Sequence, residues 1–393
     1  MREVVIAGAC RTPIGKFGGA LAGTSGAQLA AASAKETLRR TGVKPDEVDE
    51  VAIGCARQAG NGPNVARQVA WRAGIPQEVP AFTVNMACGS GLKAVDYAYR
   101  AVRDGDADVV LAGGFESMSR VPYLLLGARW GYRMGEQQVV DAMYHDGLLC
   151  PLSDMIMGET AERLADQYGI GREEQDAFAL RSQERAAKAW QAGRFEAETF
   201  ALALPGKKGE VEFKQDEHPR PDTTAESLAK LLPVFKKTGT VTAGNSSGIT
   251  DGASTMLVLS RQAADDMGVK PMARALGVAA AGVDPHIMGI AVVPATRKLL
   301  ARTSLTLGDF DLYEVNEAFA AQVIACDREL RLDPEKLNVN GGAIAIGHPI
   351  GASGARIATT LLHEMERRKA RRGLATLCIS GGQGLAAAFE RID

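Results

Sequence analysis

The sequence lacks the features that would place it in a membrane or on a nucleic acid. No apolar run reaches membrane-spanning length, and the early apolar stretch at residues 4–9 is too short for a secretory signal core. The formal net charge is −2, and no block of basic residues stands out along the chain. We therefore expect a protein that binds neither nucleic acid nor membranes.

Closely spaced cysteine pairs are also missing. The six cysteines form no Cys-x-x-Cys pair and no Cys/His cluster at ligand spacing: Cys10, Cys55, Cys88, Cys150, Cys326 and Cys378. This pattern predicts free thiols in a reducing cytoplasm and no bound metal. The 393 residues, 46% of them hydrophobic, are enough for a globular enzyme of two or three domains with a sizeable core.

Cys88 is the most informative residue that is present. It directly precedes Gly89-Ser90-Gly91, between an apolar stretch at residues 79–84 that predicts a strand and a segment with helical spacing of apolar residues. A thiol at a helix start faces unpaired backbone N–H groups and the positive end of the helix dipole, which both favour the thiolate. Cys88 is therefore a candidate nucleophile.

Two other interpretations of Cys88 stay open at this point. A lone cysteine in an apolar setting is commonly a small buried hydrophobe. Gly89, Gly91 and Ala94 also have the spacing of a truncated dinucleotide fingerprint, for which Glu116 lies only roughly where the acidic residue belongs. That fingerprint occupies the first strand–helix turn of its domain, whereas this strand is not the first of the chain. The far end of the chain decides between the alternatives.

A helix–strand–Gly-Gly unit occurs twice in the chain. One copy begins at Ser90-Gly91 and the other at Ser353-Gly354, and a strand that ends in Val-Asn is predicted before each, at residues 84–85 and 339–340. The repeat predicts an α/β fold of two similar halves, with the helix-opening loops near a shared pseudo-two-fold axis.

The stretch between the two halves has a different character. It contains two predicted helices and then a polar, Pro-punctuated loop at residues 206–222, which includes Lys207, Lys208, Lys214 and Arg220. We expect an insertion over the α/β core, of the kind that often forms a binding surface.

The second half supplies partners for a nucleophile. His348 lies in the glycine-rich stretch 340–351, where Pro349 restricts the chain, and an imidazole with a pKa near 6.5 is suited to deprotonate a thiol. Cys378 comes just before Ser380-Gly381-Gly382, whose backbone amides suit an oxyanion hole. Asn316 follows a short apolar strand, at a position suited to orient a water or an oxyanion.

Taken together, these segments resemble the thiolase family. The matching segments come in the family's order and span nearly the whole chain: residues 10–13, 85–91, 242–253, 316–319, 340–356 and 378–382. The resemblance implies a thiolase fold, a duplicated five-layered α-β-α-β-α core with an inserted loop domain. It implies three parts: an N-terminal half at residues 1–118 plus 249–271, an inserted CoA-binding loop domain at 119–248, and a C-terminal half at 272–393.

The resemblance also implies the reaction. Cys88 would take the acyl group from a thioester, His348 would activate Cys88, and Cys378 would remove a proton from the α-carbon of acetyl-CoA. His348 with a water held by Asn316 would form one oxyanion hole, and the backbone amides of Cys88 and Ser380 the other. Two acetyl-CoA would give acetoacetyl-CoA and CoA, or the reaction would run backwards as thiolysis.

Coenzyme A and acyl-CoA are then the expected substrates, with no tightly bound cofactor. The positions that match the family's CoA tunnel and acyl pocket are Arg220, Ser247, Ala243, Gly244, Leu148, Phe235, Met157, Met288, Ala318 and Phe319. Because family members assemble as dimers or tetramers, the resemblance also implies a homo-oligomer.

One position departs from the family's short-chain pattern. Short-chain members commonly carry a histidine immediately before the Met-Gly that corresponds to Met157-Gly158, and here that residue is Ile156. A more apolar pocket wall favours a longer acyl chain, so a degradative 3-ketoacyl-CoA thiolase of fatty-acid β-oxidation stays open beside the acetyl-CoA acetyltransferase. A third alternative, a non-catalytic CoA-binding relative, would need neither the nucleophile nor the second cysteine.

Overall fold

The computed structural model describes residues 2–206 and 209–392, so Lys207 and Lys208 of the predicted polar loop lie outside the described residues. The strands are β1 (Val4–Arg11), β2 (Gly15–Lys16), β3 (Glu50–Gly54), β4 (Ala81–Val84), β5 (Val109–Ser117), β6 (Tyr123–Leu124), β7 (Val140–Asp141), β8 (Leu149–Cys150), β9 (Met155–Ile156), β10 (Leu202–Gly206), β11 (Gly209–Phe213), β12 (Thr250–Ser260), β13 (Ala273–Gly282), β14 (Leu312–Val315), β15 (Arg372–Ile379) and β16 (Gln383–Arg391).

The helices alternate with these strands in both halves. They are α1 (Gly26–Thr41), α2 (Val65–Ala73), α3 (Ser90–Asp104), α4 (Met157–Tyr168), α5 (Arg172–Gln191), α6 (Ala225–Ala229), α7 (Arg261–Asp266), α8 (Val292–Thr303), α9 (Ala320–Leu330), α10 (Ala343–Ile346) and α11 (Ile350–Arg368). Within the described ranges, no helix combines the length and the apolar character needed to cross a membrane.

One long sheet runs through both halves, in the strand order β14-β15-β16-β13-β1-β12-β5-β3-β4, with β2 attached to β12. The halves join at β1 and β13, where only Val5–Arg274 and Ile6–Ala273 are paired. Strands β3, β4 and β5 are parallel in the first half, and β14 and β15 are parallel in the second. Every residue of β5 and β12 is buried, as expected for strands with helices on both faces.

The helices complete five layers around this sheet. Helices α1 and α2 pack on the outer face of the first half, and α8 packs on the outer face of the second. Helices α3 and α11 pack against each other and against strands of both halves, so they form the middle layer. The predicted α-β-α-β-α order is confirmed, with the qualification that the two β layers are continuous through the short β1–β13 pairing.

Glycines allow the two middle helices to touch where they begin. A Cβ on Gly91 would lie 2.9 Å from the carbonyl oxygen of Gly351, and a Cβ on Gly354 would lie 2.6 Å from the backbone nitrogen of Leu92. Such distances exclude larger side chains at these positions. The contact brings the loop before α3, with Cys88, next to the loop before α11, with His348.

The predicted repeat is present as α3–β5 and α11–β15, with two differences. Helix α11 begins at Ile350 rather than at Ser353, directly after Pro349. The strand predicted to end at residues 339–340 is wrong. The side-chain amide of Asn338 instead accepts from the backbone N–H of Val315 at 2.9 Å and donates to its carbonyl at 2.8 Å. This amide therefore occupies the edge of β14 where a strand would have paired.

The polar loop of the insertion overlaps the hairpin β10–β11. Leu202, Leu204 and Phe213 pack the hairpin against the core of the N-terminal half. Lys214 forms a 2.5 Å ion pair with Glu212. Of the lysines and arginines described in that loop, only Arg220 lines the cavity that Cys88 faces.

Candidate active site

The turn between β4 and α3 holds Cys88 in an uncommon backbone setting. Ala87 has a φ of +44°, in the left-handed region that residues other than glycine rarely adopt. The Ser90 hydroxyl stabilises this turn, since it donates to the carbonyl of Ala87 at 2.7 Å and accepts from the N–H of Met86 at 2.9 Å. Cys88 is left partly exposed, and it faces a cavity.

This cavity, of about 520 Å³, is formed by both halves and the insertion. The predicted site residues that line it are Cys88, Leu148, Met157, Arg220, Phe235, Ala243, Ser247, Met288, Ala318, Phe319, His348, Cys378 and Ser380. Gly244 instead lines a smaller neighbouring cavity of about 210 Å³, which shares His218, Arg220 and Ala243 with the larger one. Asn316 lines neither cavity.

His348 is a buried imidazole with one nitrogen committed to a partner. Its Nδ1 lies 2.5 Å from the Ser353 hydroxyl, which itself donates to the carbonyl of Pro349 at 2.9 Å. Because the hydroxyl proton is used on Pro349, this network assigns the imidazole proton to Nδ1 and leaves Nε2 as an acceptor. Burial and the charges of Arg356 and Arg57 lower the pKa of His348 to about 3. His348 is therefore neutral at neutral pH and able to accept a proton.

Cys88 does not become a thiolate through the helix start alone. Burial raises the pKa of its thiol, while the charge of Arg57 and the backbone N–H groups of Ser380 and Cys88 lower that pKa. Burial is the larger effect, and the net result is a raised pKa for the Cys88 thiol. The predicted stabilising groups are present, but deprotonation of Cys88 requires a base.

Cys378 lies near the end of β15, on the wall of the same cavity. Burial, with smaller contributions from Cys88 and Cys326, raises the pKa of the Cys378 thiol well above its ordinary value. A protonated Cys378 can donate its proton, and once ionised it is a strong base.

Asn316 lies at the end of β14, beside the strand that carries Cys378. Its backbone N–H donates to the carbonyl of Thr376 at 3.0 Å, and its side chain is buried. The amide oxygen and nitrogen of that side chain have no hydrogen-bond partner in the part of the chain that the structure describes. The predicted role of Asn316 in holding a water agrees with this free amide and stays a prediction.

Sequence reasoning missed three polar residues at the site. Arg57 lines the large cavity, and His218 lines both cavities, with its Nδ1 2.9 Å from the carbonyl of Ala345. The buried Glu116 carboxylate accepts from the backbone N–H groups of Ala56, Arg57 and Gly351, so it ties the loop after β3 to the start of α11. Position in the polar loop was the only signal for His218, and no motif marked Arg57.

Two family models together match nearly the whole chain. The model described as "Thiolase, N-terminal domain" matches residues 4–262, and the one described as "Thiolase, C-terminal domain" matches residues 269–391. The chain belongs to the thiolase family. Cys88, Cys378 and His348, which line the cavity of this thiolase, therefore lie within a fold that the family shares.

Curated relatives match this thiolase over its full length. An acetyl-CoA acetyltransferase of Syntrophomonas wolfei is 53% identical over 395 residues, which cover 100% of both chains. An acetyl-CoA acetyltransferase of Chromobacterium violaceum is 54% identical over 99% of this chain and 100% of its own. A probable acetyl-CoA acyltransferase of Staphylococcus aureus is 51% identical, with 100% of both chains covered.

Solved structures agree with the fold of this thiolase. The crystal structure of the Bacillus anthracis acetyl-CoA acetyltransferase superposes with a TM-score of 0.98 at 46% identity, over 100% of this chain and 99% of the other. Human mitochondrial 3-ketoacyl-CoA thiolase in complex with CoA gives a TM-score of 0.96 at 43% identity, over 100% and 98%.

Proposed function

We propose that this thiolase condenses two acetyl-CoA into acetoacetyl-CoA and CoA, and catalyses the reverse thiolysis, through an S-acetyl intermediate on Cys88. The observation that carries the proposal is the single cavity onto which Cys88, His348 and Cys378 all open. Relatives that are 53% and 54% identical over the full chain are named acetyl-CoA acetyltransferases, which supports the same reaction here.

The first half-reaction loads Cys88. Nε2 of neutral His348 accepts the thiol proton, and the resulting thiolate attacks the thioester carbon. The N–H groups of Cys88 and Ser380, which lower the pKa of the Cys88 thiol, would stabilise the oxyanion that forms next to the sulfur. The C–S bond to CoA then breaks, and Cys378 protonates the departing CoA thiolate, because its raised pKa keeps it protonated at rest.

The second half-reaction forms the carbon–carbon bond. The Cys378 thiolate left by the first step removes a proton from C2 of the second acetyl-CoA. His348 and a water on Asn316 hydrogen-bond the enolate oxygen. The C2 carbanion attacks the acyl carbon, and the Cys88 thiolate leaves and is protonated by His348. Both cysteines and the imidazole return to their starting protonation states.

The insertion at residues 119–248 supplies much of the proposed CoA site. Arg220 carries the positive charge for the nucleotide end, while Leu148, Phe235, Ala243 and Ser247 line the path from there to Cys88.

The loop at residues 123–139 leaves several apolar side chains exposed, which supports the proposed homo-oligomer: Leu125, Leu126, Trp130, Met134 and Val139. A cytoplasmic location is proposed from the six free thiols.

A broader 3-ketoacyl-CoA thiolase is the second candidate function. Ile156 lines the cavity with Met157, Met288 and Phe319, so the acyl end has an apolar wall where short-chain relatives carry a histidine. An apolar wall stabilises additional methylene groups of a longer acyl chain.

Thiolysis rates on 3-ketoacyl-CoA substrates of four to sixteen carbons distinguish the two functions. We expect the highest kcat/KM with acetoacetyl-CoA. Equal or higher values on long chains would replace this proposal with the degradative function, and the Ile156→His variant should then lose long-chain activity selectively. Absence of thiolysis at every length would refute both functions.

A further inference from the structure

Arg57 is a buried cation in the cavity wall. It follows β3, it is only 5% exposed, and it lines the large cavity with Cys88 and His348. Its Nη1 donates to the carbonyl of Asp146 at 3.3 Å, while its buried Nε has no hydrogen-bond partner. Across residues 2–206 and 209–392, no carboxylate forms an ion pair with this guanidinium.

The carboxylates of Glu116 and Asp146 have hydrogen-bond partners other than the guanidinium of Arg57. Both oxygens of Glu116 accept from backbone N–H groups, among them that of Arg57 itself. The Asp146 carboxylate lies 2.6 Å from Nδ1 of His145. A buried guanidinium without an ion pair and with an unused donor is costly, and an anionic group that enters the cavity would offset that cost.

Arg57 lies at the reactive end of the cavity. Its guanidinium packs on Gly147, where a Cβ would lie 1.9 Å from its Cζ, and its neighbour Ala56 belongs to the small apolar cluster that Cys88 contacts. Its charge also lowers the pKa values of both Cys88 and His348. Arg220, the proposed cation for the CoA phosphates, also lines the smaller cavity, which Arg57, Cys88 and His348 do not line.

We propose that Arg57 binds a carboxylate on the acyl chain, so that this thiolase also accepts 3-ketoacyl-CoA substrates whose chain ends in a carboxylate. The inference rests on the proposed thiolase reaction of Cys88. Met118 and Ile350, which belong to the same apolar cluster, offer a surface for the methylene groups between the ketone and the carboxylate. A guanidinium suits this role because its fork of donors matches a carboxylate.

The bonds that form and break are those of the proposed thiolysis reaction. The Cys88 sulfur attacks C3 of the substrate, the C2–C3 bond breaks, and the electron pair stays on C2 of the departing acetyl-CoA, which takes a proton from Cys378. The thiol of free CoA then takes the acyl group from Cys88, and its proton goes to the enzyme. The products are acetyl-CoA and the CoA monothioester of a dicarboxylic acid.

The test compares two substrates of equal carbon number, 3-oxoadipyl-CoA and 3-oxohexanoyl-CoA, which end in a carboxylate and a methyl group. We expect wild-type protein to cleave the first at least as efficiently, and Arg57→Leu to lower the ratio of the two kcat/KM values by about tenfold or more. Arg57→Lys should keep part of the ratio. Arg72→Leu, an exposed arginine of α2, should leave the ratio unchanged.

Any effect of the Arg57 substitution that is equal for both substrates cancels in the ratio of their kcat/KM values. An equal loss on both substrates in Arg57→Leu would overturn the inference, because Arg57 would then act only on Cys88 or on the loop at Gly147. Failure of wild-type protein to cleave 3-oxoadipyl-CoA while it cleaves acetoacetyl-CoA would overturn it too. Failure on acetoacetyl-CoA would instead refute the proposed function.

A measurement on wild-type protein covers the case in which Arg57→Leu does not fold. The two substrates are offered in equal amounts without CoA, and intact-protein mass spectrometry reads the acyl group retained on the enzyme. Predominance of the succinyl over the butyryl adduct supports the inference. Predominance of the butyryl adduct contradicts it.

Discussion

At the scale of single residues, the proposed reaction depends on the protonation states that burial gives to His348, Cys88 and Cys378. His348 is neutral because it is buried beside Arg356 and Arg57, and Cys88 and Cys378 are protonated because burial outweighs the groups that lower the pKa of each thiol. Each group therefore starts in the form that the proposed first half-reaction needs, with His348 as the base and the two cysteines protonated. The sequence identified these three residues by motif, but protonation depends on neighbours that only the fold supplies.

The lowered pKa of His348 predicts a pH dependence of stability. With a pKa of about 3 in the folded protein and about 6.5 unfolded, the unfolded chain takes up the proton first as the pH falls. The contribution of neutral His348 is complete above about pH 6.5, and below it the free energy of unfolding falls by ~1.4 kcal/mol per pH unit toward pH 3.

Urea unfolding between pH 7.5 and 4.5 measures this contribution. Other groups titrate in the same range, so the relevant quantity is the difference between wild-type protein and His348→Asn. The variant should lose less stability over the interval. Equal slopes in the two proteins would contradict the assignment of a neutral, buried His348.

At the scale of elements, the site depends on the close approach of α3 and α11. The approach requires glycine at several positions, of which Gly114 on β5 is the most confined: a Cβ there would lie 2.1 Å from the carbonyl oxygen of Gly351. Because Gly351 is in the first turn of α11, any shift there also moves the loop that holds His348.

Gly114→Ala is therefore expected to destabilise the protein by about 1–3 kcal/mol, the usual range for overpacking, and to lower thiolysis sharply. The matched control is Gly23→Ala, where a Cβ would meet no atom within 4 Å. Chemical unfolding and kcat/KM for acetoacetyl-CoA should separate the two variants. A Gly114→Ala protein with normal stability and activity would show that the helix contact is not needed.

Helices and strands could be predicted from the sequence where the apolar spacing and the turn residues indicate the same element. The strand before Cys88, the helices α3 and α11, and the strand before Ser380-Gly381-Gly382 are all present. The prediction failed at residues 339–340, because the side chain of Asn338 replaces strand pairing with β14. A side-chain hydrogen bond to a distant strand leaves no periodic signal in the sequence.

At the scale of the whole molecule, residues from distant parts of the chain line the cavity of the proposed site. Cys88 comes from the first half, His348 and Cys378 from the second, and Arg220 from the insertion. Sequence motifs are enough to predict that most of these residues belong to one site, because each motif includes the glycine or proline residues of the turn that holds its functional side chain. Arg57 and His218 are the exceptions, since no motif marks either residue as facing the cavity.

The most direct test of the account is the Cys378→Ala variant incubated with acetyl-CoA. Intact-protein and peptide mass spectrometry locate the acetyl group, and a coupled assay follows acetoacetyl-CoA. We predict an acetyl group on Cys88, formed more slowly because Cys378 no longer protonates the departing CoA, and no detectable condensation, because no base remains for the C2 proton. Acetylation at another residue, or condensation near the wild-type rate, would contradict the assignment of nucleophile and base to Cys88 and Cys378.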